Sequence, residues 1–211
     1  SIKNFLPNPN TLLDMEKSSL RTLKAISNKE KIGVFGDYDV DGATSTALLG
    51  RYFDELKLNY EIYIPDRKTE GYGPSINAFK QLIENNVKII FTVDCGTLSF
   101  EAIDYAKKMN IDVIVLDHHQ SEINLPNAYS VINPNRIDDK SNLQYLCAAG
   151  VTFMFLVSIN KELRSTDWFN TNKILEPNLI NYLDLVTLGT ICDVVPLIGL
   201  NRAIVKQGLK V

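Results

Sequence analysis

Cysteine is scarce. Only three occur in 211 residues, Cys95, Cys147 and Cys192. They are far apart and odd in number, which excludes a disulfide framework and any CxxC metal pair and fits a reducing, cytoplasmic setting. Histidine is scarcer still: the chain holds two, and they are adjacent, His118 and His119. No apolar run reaches the ~18 residues that a membrane-spanning helix needs. The first residues, Ser1-Ile2-Lys3-Asn4, show no charged stretch leading into an apolar segment, so no signal peptide is expected. There is no internal repeat and no low-complexity tract. A basic excess is missing too. With 22 Lys and Arg against 25 Asp and Glu, the net charge is −3, which is no footprint of a strongly basic nucleic-acid binder. That balance does not exclude a polyanionic partner. Six aspartates argued below to form one cluster would mask a remainder of 22 − 19 = +3.

What is present is ordinary globular composition, 45% hydrophobic and 22% charged, at a length that suits one large domain or two small ones. After an irregular lead-in with Pro7 and Pro9, the apolar spacing predicts a helix over 12–26. Short apolar strands are then expected at 31–35, 60–64, 87–93 and 112–116, alternating with helices at 43–56, 75–85 and 99–109. Such alternation argues for βαβ units and a parallel sheet. Its near-continuous Val and Ile runs fit strands covered on both faces. Residues 130–133 read as one more short strand, 134–145 as a loop, and 146–160 and 178–188 as helices. Residues 161–177 receive no assignment, and 201–209 read as the opening of another helix. The expected fold class is α/β: an open, mainly parallel sheet flanked by helices, with a helical C-terminal part. Three segments follow. Residues 1–30 are lead-in and helix, 31–200 the main domain, and 201–211 the start of a helix connecting to a further domain, before which the chain is cut.

The informative feature is where the acids fall. The first strand runs into Gly36-Asp37-Tyr38-Asp39-Val40-Asp41-Gly42, the second into Pro65-Asp66-Arg67, the third into Asp94-Cys95-Gly96, and the fourth into Asp117-His118-His119. In an open parallel sheet these turns share the edge at the carboxyl ends of the strands, where ligands bind. Carboxylates gathered there raise one another's pKa unless a cation intervenes. Oxygen-rich donors with little imidazole favour manganese or magnesium over structural zinc. Four or five carboxylates leave room for two ions, the arrangement that clamps the attacking and leaving oxygens of a phosphoester displacement. An EF-hand is excluded, because the twelfth position of a loop begun at Asp37 is Leu48. Taken singly, the first motif also reads as a helix-capping turn, Asp94 as an Asx turn, and the histidines as a solvated pair. Their conjunction favours the metal reading.

Together these motifs resemble the DHH phosphoesterase superfamily. A fourth motif, Leu188-Gly189-Thr190-Ile191-Cys192-Asp193-Val194-Val195-Pro196-Leu197, joins them. With Glu70-Gly71-Tyr72-Gly73, Ile132-Asn133-Pro134-Asn135 and Ala149-Gly150-Val151, it resembles the RecJ branch of single-strand-specific 5′→3′ DNA exonucleases. The resemblance covers nearly the whole chain. It implies a Rossmann-like DHH domain acting in repair and recombination with two divalent ions, Mn2+ or Mg2+. Asp94 would bridge the ions. Asp39 and Asp41 would hold one each, with Asp37 in support, and His118 and Asp193 would complete the ligands. His119 would face the scissile phosphate and Asp117 would orient the histidines. Arg67, Arg136 and, less strongly, Lys68 are candidate phosphate contacts, and Tyr72 a candidate base-stacking residue.

Two departures stand out. Many relatives carry a His at the position of Phe35, which cannot ligate metal. The family's further substrate-binding domain is absent from these residues, so single-stranded DNA should bind weakly here. The competing readings are a phosphodiesterase for short oligoribonucleotides or cyclic dinucleotides, an inactive scaffold of the same fold, and a receiver-like phosphoryl acceptor. The last leaves His118-His119 unexplained.

Overall fold

The computed structural model describes residues 2–211. Helix α1 (Met15–Ser27) begins three residues later than the apolar spacing suggests. Pro9–Thr11 form a 3-10 turn, and Asp14 adopts a left-handed backbone with φ 61°. The alternating stretch then unfolds as β1 (Ile32–Phe35), α2 (Val40–Glu55), β2 (Tyr60–Tyr63), α3 (Ile76–Glu84), β3 (Ile89–Val93), α4 (Phe100–Lys108), β4 (Asp112–Leu116) and β5 (Ser130–Ile132). Helix α2 starts three residues ahead of its expected position. Asp39 caps it, its side chain accepting the Gly42 amide at 2.9 Å.

The five strands form one sheet in the order β2-β1-β3-β4-β5, and every pairing is parallel. This order reverses between β1 and β3. The loops leaving those two strands therefore diverge and open a crevice at the carboxyl edge, the general ligand position in such sheets. The first acidic loop and Asp94 follow these two strands.

Side chains alternate across the sheet, as strand geometry requires. Val34, Phe91, Val93, Ile114 and Leu116 pack with α1, α2 and the long α5 (Ala148–Ser165). Phe35, Ile90, Val113 and Val115 face α3 and α4, meeting Phe79, Leu82 and Ile103. Helix α5 runs beyond its expected end, and α6 (Trp168–Asn172) fills part of the stretch that had no assignment. The helix expected at 178–188 is split into a 3-10 turn at Leu179–Tyr182 and α7 (Leu183–Cys192). Helix α8 (Gly199–Gly208) closes the described chain and packs on α7, which in turn packs on α2 and α5. No helix among the described residues is long and apolar enough to cross a membrane.

Phe91 ties the sheet to both helices above it. It is fully buried, with ring centroids 5.9 Å from Phe53 of α2 and 5.6 Å from Phe155 of α5. Phe91→Ala is expected to lower the unfolding free energy by about 3–5 kcal/mol. Urea denaturation should show an earlier midpoint with an unchanged slope.

Candidate metal centre

Each acidic residue is set in place by the end of a secondary-structure element. Capping by Asp39 puts Asp41 in the first turn of α2, where it is buried. Its carboxylate accepts the Ala148 and Ala149 amides at 2.6 and 2.9 Å. These are orphan donors at the start of α5, so an anion there is stabilised by the helix terminus. Asp41 thus links α2 to a helix more than a hundred residues away.

After β3 the chain turns sharply. Asp94 has φ 60° and Gly96 φ 112°. A Cβ at Gly96 would lie 2.4 Å from Thr92 Oγ1 and 3.1 Å from the Val115 side chain, so only glycine fits. After β4, Asp117 organises the histidine pair. Its Oδ1 accepts the amides of His118 (2.7 Å) and His119 (3.2 Å) and lies 2.8 Å from His119 Nδ1. Its Oδ2 accepts the Thr97 amide at 3.0 Å. The last acid, Asp193, arrives at the C-terminal end of α7. A second glycine permits that approach. A Cβ at Gly189 would meet Thr44 Oγ1 at 2.6 Å, the Ala149 Cβ at 2.8 Å and Asp41 Oδ1 at 2.9 Å.

These side chains converge in three overlapping groups, each with donor atoms within 4.8 Å of one another: Asp37, Asp39 and Asp94; Asp94, His118 and His119; Asp41, His118 and Asp193. Asp94 and His118 each belong to two groups. His118 Nε2 lies 3.3 Å from Asp94 and 3.7 Å from Asp41, and its Nδ1 lies 3.7 Å from Asp193.

The electrostatics reflect this crowding. Burial, reinforced by Asp41 and Asp39, pushes the Asp94 carboxyl up to about 10. Burial likewise raises Asp37, Asp41 and Asp193 above the ordinary carboxylate range. Asp117 behaves oppositely. Burial alone would raise it, but hydrogen bonds from His119 and Thr97 hold it well below its usual value. The hydrogen bond to Asp117 raises His119 in turn.

Whether these residues suit divalent metal can be read from two atoms. Asp94 Oδ1 and Asp193 Oδ2 are buried without any hydrogen-bond partner, a costly condition for a carboxylate oxygen. Oxygens aimed into a crowded acidic cluster with one or two imidazoles are the donor set that hard divalent cations take.

The structure brings together Asp37, Asp39, Asp41, Asp94, His118, His119 and Asp193, with Asp117 behind the histidines. Tyr72 lies at the rim. Its hydroxyl donates to the Asp94 carbonyl oxygen at 3.1 Å and its ring meets His119 edge-on at 6.1 Å. Arg67 also borders the site, its guanidinium 5.2 Å from the Tyr38 ring centre. Lys68 contributes its amide to the Asp66 turn. Arg136 is engaged away from the cluster: its guanidinium binds Asp14 (2.8 Å), Asp138 (2.8 Å) and the Val131 carbonyl (2.7 Å), and its side chain is only 9% exposed. Phe35 lies in the core rather than the cluster, stacked on Tyr63 at 5.6 Å and edge-on to Phe79 at 5.9 Å. Sequence reasoning missed the α5 amides, Thr97, and any role for Asn133 and Asn135. Backbone donors carry no side-chain signal. The two asparagines stood out only as part of a motif.

The fold and the centre together define a class. The model of the DHH family, N-terminal domain, matches residues 31–190, and the chain belongs to this family. Among characterised proteins it is similar to the single-stranded-DNA-specific exonuclease RecJ of Haemophilus influenzae, with 37% identity covering 99% of this chain and 36% of that protein. The Escherichia coli RecJ is 38% identical with the same coverage. Among solved structures, exonuclease RecJ bound to manganese superposes with a TM-score of 0.81 at 32% identity, covering 94% of this chain and 48% of that one. RecJ of Thermus thermophilus in complex with Mn2+ gives 0.76 at 30% identity, covering 94% and 27%. The chain spans about a third of the length of the curated relatives it matches.

Two outcomes are expected. A carboxyl raised in the folded state favours folding below its unfolded pKa, and that contribution is lost as pH rises towards the folded value. The metal-free protein should therefore lose stability from about pH 4 towards pH 10 as Asp94 is forced to ionise. Asp94→Asn should flatten this loss and raise Tm at neutral pH while abolishing the Tm gain caused by Mn2+; scanning calorimetry with and without metal checks both. Arg136→Ala should cost roughly 1–3 kcal/mol of stability, because it strips a buried carbonyl and an aspartate of their partner. Thermal or urea denaturation beside the wild type checks this.

Proposed function

We propose that this chain is the catalytic part of a divalent-metal-dependent phosphodiesterase, a 5′→3′ exonuclease acting on single-stranded DNA in cytoplasmic repair and recombination. The observation that carries this reading is the pair of buried, unpartnered carboxylate oxygens of Asp94 and Asp193 within a cluster shared by His118. The similarity to RecJ proteins supplies the substrate class. Two ions, Mn2+ or Mg2+, would be held by Asp37, Asp39, Asp41, Asp94, His118 and Asp193, with Asp94 shared between them. When bound, such ions supply Lewis-acid activation of water and neutralise phosphate charge.

The chain's own groups divide the remaining work. His118 is mostly buried among the carboxylates, whereas His119 is about half exposed at the rim. With Nδ1 held by Asp117, His119 keeps Nε2 for the phosphate, as hydrogen-bond donor or general acid. Beside it opens a groove of about 660 Å³ lined by Tyr72, Pro74, Thr97, Leu98 and Phe100, wide enough for a nucleotide, where Tyr72 can stack on a base. Arg67, beside the first acidic loop, serves the phosphates. Residues 31–200 form the DHH domain, braced by the helix within 1–30.

A further substrate-binding domain, led into by residues 201–211, would complete the groove. Helix α7 supports this, since it is strongly apolar beyond Asp184 yet leaves Leu188 and Ile191 exposed, followed by exposed Val194, Leu197 and Ile198. A helix of that composition is normally covered on every side.

The test is Mn2+-supported hydrolysis of a 5′-phosphorylated single strand, beside short oligoribonucleotides, by this chain and by a form extended to the length of its relatives. Asp94→Ala should abolish turnover with the fold intact. His118→Ala should lose metal, whereas His119→Ala should keep metal and lose turnover by roughly 100- to 10,000-fold. Preference for short oligoribonucleotides would move the substrate class. Failure to take up metal would identify an inactive scaffold.

A further inference from the structure

Behind the histidine pair lies a buried polar chain whose direction is fixed. Asn133, the first residue after β5, is wholly buried. Its Nδ2 donates to the His119 carbonyl oxygen and to Thr97 Oγ1, both at 2.9 Å, and its Oδ1 accepts the Asn135 amide at 2.8 Å. The orientation of this amide is unambiguous. A backbone carbonyl only accepts and a backbone amide only donates, so turning the Asn133 amide over would set oxygen against oxygen and N–H against N–H. Asn135 adds a hydrogen bond from its own Nδ2 to the His118 carbonyl oxygen. Both histidine carbonyls are thus clamped from the loop after β5.

The fixed direction has a chemical result. Thr97 is buried, and its hydroxyl oxygen accepts a hydrogen bond from Asn133 Nδ2. Its own amide donates to Asp117 Oδ2 at 3.0 Å, so Thr97 ties Asn133 to that carboxylate. Asp117 is left as an acceptor only and faces His119 Nδ1 at 2.8 Å. A ring nitrogen opposite such an acceptor carries the proton.

Resting on the catalytic reading of His119 above, we propose that Asn133 is a positioning residue. Through Thr97 and Asp117 it holds the proton on His119 Nδ1 and turns Nε2 towards the substrate, while its clamp on the His119 carbonyl fixes the backbone that carries the ring. Asn133 touches neither substrate nor metal ligand side chains. Its effect is carried by the direction of its hydrogen bonds, and shape alone cannot replace it.

The experiment uses the metal-free chain labelled with 15N-histidine, together with turnover in the extended form. The chain has only two histidines, so His119→Gln identifies the Nδ1–H resonance of His119 by its disappearance. In the wild type this proton should be sharp, downfield and slow to exchange. Asn133→Ala and Thr97→Val should broaden or abolish it, and kcat should fall about 10- to 100-fold, the usual cost of losing an orienting partner. In Asn133→Ala, KM and metal stoichiometry should stay the same. Thr97→Ser, which keeps the hydroxyl, should restore both signals. Asn133→Asp, which keeps the shape and reverses the polarity, should be at least as poor as Asn133→Ala.

Should Asn133→Ala fail to fold, Thr97→Val and Thr97→Ser decide the matter. A retained Nδ1–H resonance with wild-type kcat in Thr97→Val overturns the proposal, as does full function in Asn133→Asp. If the wild type hydrolyses no phosphodiester, the catalytic reading falls, and the resonance alone still decides whether Asn133 orients His119.

Discussion

Buried like charge governs this molecule. Asp37, Asp41 and Asp94 are withdrawn from water within a few ångströms of Asp39 and Asp193, and Asp94 lies at the meeting point. Such a cluster destabilises the fold unless protons or cations neutralise it. The architecture tolerates it by surrounding it with donors. The start of α5 takes up Asp41, the turn into α2 occupies Asp39, and Thr97 with the histidine amides occupies Asp117. What remains without a hydrogen bond is one oxygen each on Asp94 and Asp193, both facing His118.

The two histidines show how environment separates chemically identical side chains. His118 points both ring nitrogens at carboxylates, whereas His119 has one nitrogen taken by Asp117 and the rest of its ring at the rim beside Tyr72. The distinction arises from a single acceptor-only carboxylate, held ionised by its neighbours. Asn133, Asn135 and Thr97 contribute nothing to the cluster's charge, yet they determine which way its outermost imidazole faces.

Two close approaches make this geometry possible. Gly96 allows β3 to end in a turn tight enough to sit against Thr92 and Val115. Gly189 allows α7 to lie against Thr44, Ala149 and Asp41 and so to deliver Asp193. The same helix leaves an apolar surface beside the site.

Much of this was legible in the residues themselves. Short Val- and Ile-rich strands alternating with amphipathic helices determine a parallel sheet, since strands buried on both faces need apolar residues throughout. A parallel sheet puts all its strand ends on one edge, so acids at those ends had to meet. That is why Asp37, Asp39, Asp41, Asp94, Asp117 and His118-His119 could be read from position alone. Arg136 could not, because its partner Asp14 meets it only once α1 has docked beside β5. Phe35 could not be placed from the sequence either, because its packing against Tyr63 and Phe79 in the core arises only once β2 and α3 lie beside β1. Only the tertiary structure decided that Asp41 would rest on the amides of α5, and that Asn133 would set the direction of a hydrogen-bond chain. Backbone donors are the same at every residue, and the direction of a buried amide depends on neighbours distant in sequence. Local pattern records neither.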